Sequence, residues 1–172
     1  MERLYNFKDS KEVGELGEQT VKNYLLSKPN IEEIVDVTKN RNYWEKDIDF
    51  IVRFIDGKEI VIEIKTDTYT TNNMFFETIS SIEAQTPGCM YKTKAKYLFY
   101  YFINAGELYV IEVEPYREWF EKNRHNFRGC KVNNVGYTTY GYIIPLVLFK
   151  SKFHKYREYK YDPETKGFNK IL

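Results

Sequence analysis

Apolar residues recur at steps of three and four between Val13 and Leu25, then give way to runs in which apolar and charged residues alternate. The first pattern, carried by Val13, Leu16, Gly17, Thr20, Val21, Tyr24 and Leu25, predicts an amphipathic helix from Lys11 to about Leu26. Ser10 is placed to cap it, and Pro29 with Asn30 stops it. Glu33 to Thr38 reads as a short strand, followed by a polar loop through Trp44. Asp47 to Phe54 alternates, with Ile48, Phe50, Val52 and Phe54 on one face and Asp47, Asp49, Ile51 and Arg53 on the other. After Asp56-Gly57, Glu59 to Thr66 alternates again, with Ile60, Ile62 and Ile64 facing away from Glu59, Val61, Glu63 and Lys65. The two runs predict a hairpin.

Beyond it the pattern is less regular. Asp67 to Asn73 is a loop, Phe75 to Ile79 a strand, and the stretch around Pro87-Gly88 irregular. Tyr97 to Ile103 and Leu108 to Val113 predict a second hairpin, after which Pro115 opens a helix through about Asn123. Tyr142 to Phe149 is apolar and reads as a strand, and Pro145 inside it predicts an edge position or a bulge.

The chain has 172 residues, 42% hydrophobic and 30% charged, which fits one globular domain and excludes a collagen-like or wholly disordered chain. No run of about 18 apolar residues is present, and Met1 to Asp9 lacks the apolar stretch of a signal peptide. The expectation is therefore a cytoplasmic protein without a membrane partner. Cys89 and Cys130 have no CxxC spacing and read as free thiols, and His125 and His154 as surface or packing residues. Met1 to Thr86 holds 11 Lys/Arg against 17 Asp/Glu, whereas Pro87 to Leu172 holds 15 against 8. An acidic site in the first half and an anionic partner for the second would account for that asymmetry.

Four charges fall where the apolar pattern makes charge awkward: Glu18 on the first helix, Asp49 in one strand, and Glu63 and Lys65 in the next. Neighbouring carboxylates that lose hydration need compensation from a cation or a lysine. Asp49, Glu63 and one backbone carbonyl, that of Ile64, would offer the hard oxygens that Mg²⁺ prefers, and Mn²⁺ would substitute. Lys65 points to the side of Glu63, where it could orient or help deprotonate an attacking water and offset phosphate charge. This set suits phosphodiester hydrolysis.

A helix carrying Gly17-Glu18 and Tyr24-Leu25, then Asp47-Ile48-Asp49-Phe50-Ile51, then Ile62-Glu63-Ile64-Lys65-Thr66, resembles the PD-(D/E)XK nuclease superfamily of restriction endonucleases, Holliday junction resolvases and phage exonucleases. The resemblance spans roughly Val13 to Asp67. It implies a restriction-endonuclease-like α/β fold, an αβββαβ core with a mixed central sheet flanked by helices, here with β-rich additions. It also implies metal ligation by Asp49, Glu63 and Glu18, assistance to water by Lys65, and DNA as substrate. Lys46 stands where the pattern has proline, which leaves Asp47 as an alternative ligand. Phe76-Glu77-Thr78-Ile79-Ser80, Pro87-Gly88 and Lys92-Thr93 resemble a stretch of some phage-type members, adding Glu77 and Lys92 as candidates of second rank.

The expected organisation is a core of about residues 10–125 with a β-rich, basic extension at 126–172. In that extension Lys150, Lys152, Lys155, Arg157 and Lys160 could contact phosphates while Tyr156, Tyr159 and Tyr161 stack on bases. Lys92, Lys94 and Lys96 offer another path, and a homodimer is compatible with the sequence. Two other activities suit the same residues: RNA cleavage, and a catalytically silent nuclease-like binding module. The hairpin register discriminates among structural outcomes. A two-residue Asp56-Gly57 turn would pair Asp49 with Ile64 and turn it away from Glu63, so a working site requires an odd turn or a bulge.

Overall fold

The structure, a computed structural model, describes residues 7–172, with side chains from Lys11 onward. Met1–Asn6, most of the stretch read above as lacking a signal peptide, lies outside the described residues. The first helix, α1, runs Phe7–Leu26. Ser10 lies within it rather than before it, so it is not the residue that precedes the helix. The buried stripe is Gly17, Val21, Tyr24 and Leu25, and Leu16, counted above with that stripe, is 56% exposed.

Two sheets follow. The strands are β1 (Ile31–Asp36), β2 (Phe50–Phe54), β3 (Glu59–Asp67), β4 (Asn73–Ser81), β5 (Thr86–Pro87), β6 (Tyr97–Phe102), β7 (Glu107–Glu112), β8 (Arg128–Asn133), β9 (Thr138–Pro145), β10 (Tyr156–Asp162) and β11 (Gly167–Lys170). Four short helices separate them: α2 (Arg41–Trp44) in the expected polar loop, α3 (Cys89–Lys92), α4 (Val113–Asn123) and α5 (Leu146–Lys152). The larger sheet has the order β1-β2-β3-β6-β7-β10-β11, and the smaller β5-β4-β9-β8. Within the larger sheet β3 and β6 pair in parallel and the other neighbours antiparallel, so the architecture is α/β with a mixed sheet.

A parallel pair requires a long crossover, and residues 68–96 supply it. Where such a connection is usually a helix, this one is mostly β4 and β5, with the single turn of α3 at its end. Residues 126–172 are woven into both sheets: β8 and β9 complete the smaller one, β10 and β11 extend the larger.

The alternation of apolar residues on the central strands divides the core in two. On one face, Phe50, Val52, Ile62, Ile64, Phe99 and Val110 pack under Val21, Tyr24 and Leu25 of α1. On the other, Leu98, Tyr100, Tyr109 and Ile111 meet Met74, Phe76 and Ile144 of the smaller sheet and Tyr116, Phe120 and Phe149 of α4 and α5. Each such side chain, fully buried, contributes about 1.5–3 kcal/mol.

The expected strand Tyr142–Phe149 is half right. Pro145 closes β9 opposite Asn73, and the following residues turn into α5, with Pro145 at its N-cap. β8 reaches β9 only as far as Ile143, so the missing N–H of Pro145 leaves no partner in that strand unsatisfied.

Candidate active site

The hairpin of β2 and β3 places the first acidic residues. Its turn is three residues long, Ile55 to Gly57: Phe54 N donates to Lys58 O at 2.9 Å, and Gly57 takes the left-handed backbone, φ +80, that the turn needs. Phe50 is thereby opposite Ile62, and continuing that register brings Asp49 opposite Glu63. The odd turn required above is present, and the two carboxyl groups lie close enough on one face of the sheet to perturb each other's protonation. The chain is bent as it enters β2. Asp47 has φ +42, and Ile48 turns into a small cluster with Val37 and Ile51 rather than joining Phe50 as simple alternation predicts.

Because β2 begins only at Phe50, the β3 N–H of Ile64 finds the Asp49 carboxylate, donating to its Oδ2 at 2.7 Å. Glu63 is 8% exposed, with the Cys89 thiol 3.6 Å from its Oε1 and no hydrogen-bond partner on its Oε2. Lys65, two residues on and therefore on the same face, lies 3.4 Å from Glu77 Oε2 of β4. The other oxygen of Glu77 accepts from the backbone N–H of Cys89 at 3.0 Å. Glu77 thus ties the lysine to the start of α3.

The end of α3 closes the other side. Lys92 Nζ is 2.8 Å from Asp47 Oδ1 and 3.3 Å from the Trp44 carbonyl, and the Thr93 hydroxyl donates to the Asp47 carbonyl at 2.6 Å. Arg117 of α4 anchors this turn by donating to the carbonyls of Met90 and Thr93. From the opposite face of the sheet, α1 brings in Glu18. A Cβ on the preceding Gly17 would meet Thr66 Oγ1 at 1.8 Å, so glycine is what allows the helix to come this close. Glu18 lies within electrostatic reach of Asp49 and Asp36.

Burial raises the proton affinity of Glu63 well above the ordinary carboxylate range, reinforced by the Asp49 charge, and raises that of Asp49 as well despite the Ile64 N–H. Glu18 is pushed up to about 7, first by burial and then by Asp49, Asp36 and Glu15. Lys65 is held above the usual ammonium range, chiefly by Glu77, against the opposing effect of its burial. It is a fixed cation at neutral pH. The Cys89 thiol is pushed up by burial and stays protonated.

Fully ionised, Asp47, Asp49, Glu63 and Glu77 would carry four negative charges against the two positive ones of Lys65 and Lys92, an excess that adds to burial in holding Glu63 and Asp49 toward their protonated forms. A divalent cation would balance that excess and give Glu63 Oε2 a partner. The hard-oxygen donors suit Mg²⁺ or Mn²⁺. Among the described residues, however, no three His, Cys, Asp or Glu side chains already converge as a preformed metal cage.

The expected residues fall into two places. Asp49, Glu63 and Lys65 come together with Asp47, Glu77 and Lys92, and Glu18 approaches from the α1 side. Ile64 enters this group through its N–H to Asp49. The expected nucleic-acid contacts of the basic extension lie elsewhere. Following the registers, Glu63 aligns with Leu98, Ile111 and Tyr156, which puts Tyr156 three strand spacings away, about 14 Å. Its ring packs on Phe149 at 4.8 Å and neighbours Tyr109 and Phe153, so it belongs to the core rather than to an open stacking surface. Lys152, Lys155 and Arg157 are exposed. Lys150 is paired with Glu158 at 2.7 Å, and Lys160 with Glu107 at 3.3 Å.

Cys89 was not anticipated at the site. Its position directly after Pro87-Gly88 was the available signal, since a Cβ on Gly88 would meet the Glu77 carbonyl at 2.6 Å, which brings this segment against β4. Compared with protein-family models, curated proteins and solved structures, the chain matches none of them.

Proposed function

We propose that this chain is a Mg²⁺-dependent nuclease that hydrolyses phosphodiester bonds of DNA, on a restriction-endonuclease-like core formed by α1, β1, β2, β3, α3 and β6. The observation that carries the reading is the buried Glu63 carboxyl, with one oxygen unpartnered, beside Asp49 and on the face of Lys65. A buried, uncompensated carboxyl is destabilising, and a cation-binding role accounts for its presence. The order of these elements, with β3 and β6 parallel, agrees with the αβββαβ pattern and departs from it in the strand-rich crossover.

Asp49 and Glu63 would hold the ion, with Asp47 and Glu18 nearby, and the ion would supply Lewis-acid polarisation and a water of lowered pKa. Lys65, paired with Glu77 and held above the usual ammonium range by it, would orient the attacking water and offset charge on the phosphate oxygens. Glu18, balanced near neutral pH, is able to accept a proton at the α1 side of the site. Glu77 and the α3 turn keep Lys65 in place.

A second reading, a nuclease-like binding module without catalysis, is favoured by one feature: both lysines of the site already have carboxylate partners, Lys65 with Glu77 and Lys92 with Asp47. Incubating the protein with plasmid, linear, single-stranded and branched DNA and with RNA, in Mg²⁺ or Mn²⁺, separates the readings. Metal-dependent cleavage of DNA supports the first. Binding without cleavage of any substrate supports the second, and cleavage confined to RNA replaces the DNA assignment.

A further inference from the structure

We infer that Trp44 is a stacking platform for an unpaired base at the entrance to the acidic centre, an inference that rests on the nucleic-acid reading above and narrows its substrate to strands with unpaired nucleotides. Three observations converge on it. The indole is 63% exposed although α2, the turn that carries it, buries none of its residues. The protein's other tryptophan, Trp119, packs among Tyr116, Phe127, Phe149 and Phe153. Trp44 therefore contributes little to the core, and α2 is a structured turn that presents it to solvent, capped by Asn40.

The second observation is its coupling to the site. Lys92 Nζ lies 5.4 Å from the centre of the indole ring and 2.8 Å from Asp47 Oδ1. One lysine thus touches both the platform and the acidic cluster, so a base stacked on Trp44 sits within a side-chain length of the carboxylates. The third is charge. Lys46 and Lys94 are exposed on the segments that follow Trp44 and Lys92, and neither has a carboxylate ion pair among the described residues. The two loops that carry Lys46 and Lys94 are joined by a 2.9 Å backbone hydrogen bond from Lys94 N to Lys46 O, which holds both backbone segments beside the one that carries Trp44.

An exposed aromatic face with lysines on the adjoining segments that carry no carboxylate ion pair matches a base next to its phosphates. A base inside a duplex already has its faces covered by its neighbours, so only an unpaired base, in a single strand, a frayed end or a branch, can use the indole. DNA and RNA share this chemistry, and the test separates them.

The test is fluorescence anisotropy of labelled dT12, rU12 and a 12-base-pair DNA duplex in EDTA, where no cleavage interferes, with wild type, Trp44→Ala and Trp44→Phe. Base stacking predicts that Trp44→Ala weakens single-strand binding by about 5- to 100-fold while duplex affinity stays within about twofold, and that Trp44→Phe restores most of the loss. The tighter of dT12 and rU12 in wild type names the strand. Equal loss on single strand and duplex, or no loss on either, overturns the platform. The nuclease reading stands or falls separately, on cleavage in Mg²⁺. Binding that depends on Trp44 without cleavage would remove the activity and keep the platform, and cleavage with unaltered Trp44→Ala binding would do the reverse.

Discussion

Gly17→Ala should destabilise the protein and disturb the site, even though alanine is the better helix former. The new Cβ would lie 1.8 Å from Thr66 Oγ1, 2.8 Å from Thr66 Cβ and 2.9 Å from Thr66 Cγ2. Rotating Thr66 cannot relieve this, because its Cβ is itself too close and one γ position must remain filled. Ordinary contact returns only if α1 retreats from β3 by about 1.5 Å, and overpacking of this kind costs about 1–3 kcal/mol. The helix-propensity gain of about 1 kcal/mol offsets part of it, leaving a net loss of up to about 2 kcal/mol. Gly14→Ala is the control: three residues earlier on the same helix, its Cβ meets nothing within 4 Å, and it should gain about 0.4–1 kcal/mol. For a chain of this length the two variants should differ in thermal midpoint by roughly 1–12 °C. Urea titration followed by circular dichroism measures the difference, and Thr66→Ala, which removes two of the three clashing atoms, should partly rescue Gly17→Ala. Equal stability of the two alanine variants would refute the close approach of α1 to β3, and with it the reason Glu18 can reach Asp49.

Mg²⁺ or Mn²⁺ should raise the thermal midpoint by about 5–10 °C at a hundredfold excess over its dissociation constant, and Asp49→Asn should abolish the rise. An equal rise in both would mean that the ion acts on the surface at large. The pH dependence of stability should carry a signature of Glu18, whose value is about 7 in the folded chain against an ordinary 4.5. Between those values the native state binds the extra proton, so stability falls as pH rises through the window and levels off above about 7. Glu18→Gln should lessen that fall, to which Asp49 and Glu63 also contribute, and, allowing for solvent screening at a partly exposed site, stabilise the protein at pH 8 by about 1–2 kcal/mol; parallel pH profiles for wild type and variant would contradict this. Replacing Lys152, Lys155 and Arg157 together should shallow the dependence of log affinity for duplex DNA on log salt by about two to three, and an unchanged slope would make those residues a solvated face.

Local periodicity made the central strands and α1 readable, because Ile60, Ile62 and Ile64, or Val21, Tyr24 and Leu25, can bury together only in one conformation. It also placed Glu63 and Lys65 together on the face opposite the isoleucines, and the requirement that Asp49 meet Glu63 set the parity of a turn. The misreadings occur where neighbours along the chain do not decide the structure. Ile48 left the face assigned by alternation because the positive φ of Asp47 bends the chain just before β2. The apolar run Tyr142–Phe149 divides into strand and helix because Pro145 ends the ladder with β4 and its successors cap the core between α4 and β10. Tyr156 read as an open aromatic among basic residues, and only the pairing of β10 with β7 turns its ring toward Phe149. The role of Glu77 in holding both Lys65 and the Cys89 N–H depends on a contact between β3 and β4 that no sequence spacing encodes.

The central claim, that Glu63 and Lys65 form the working face of a metal-dependent nuclease, is tested most directly by single-turnover cleavage of labelled DNA in Mg²⁺ by wild type, Glu63→Ala and Lys65→Ala, each verified as folded by circular dichroism. The account predicts metal-dependent cleavage by wild type and a fall of at least about 10²- to 10³-fold in each variant, the loss expected when one group that stabilises transition-state charge is removed. Cleavage by both variants at the wild-type rate would contradict it.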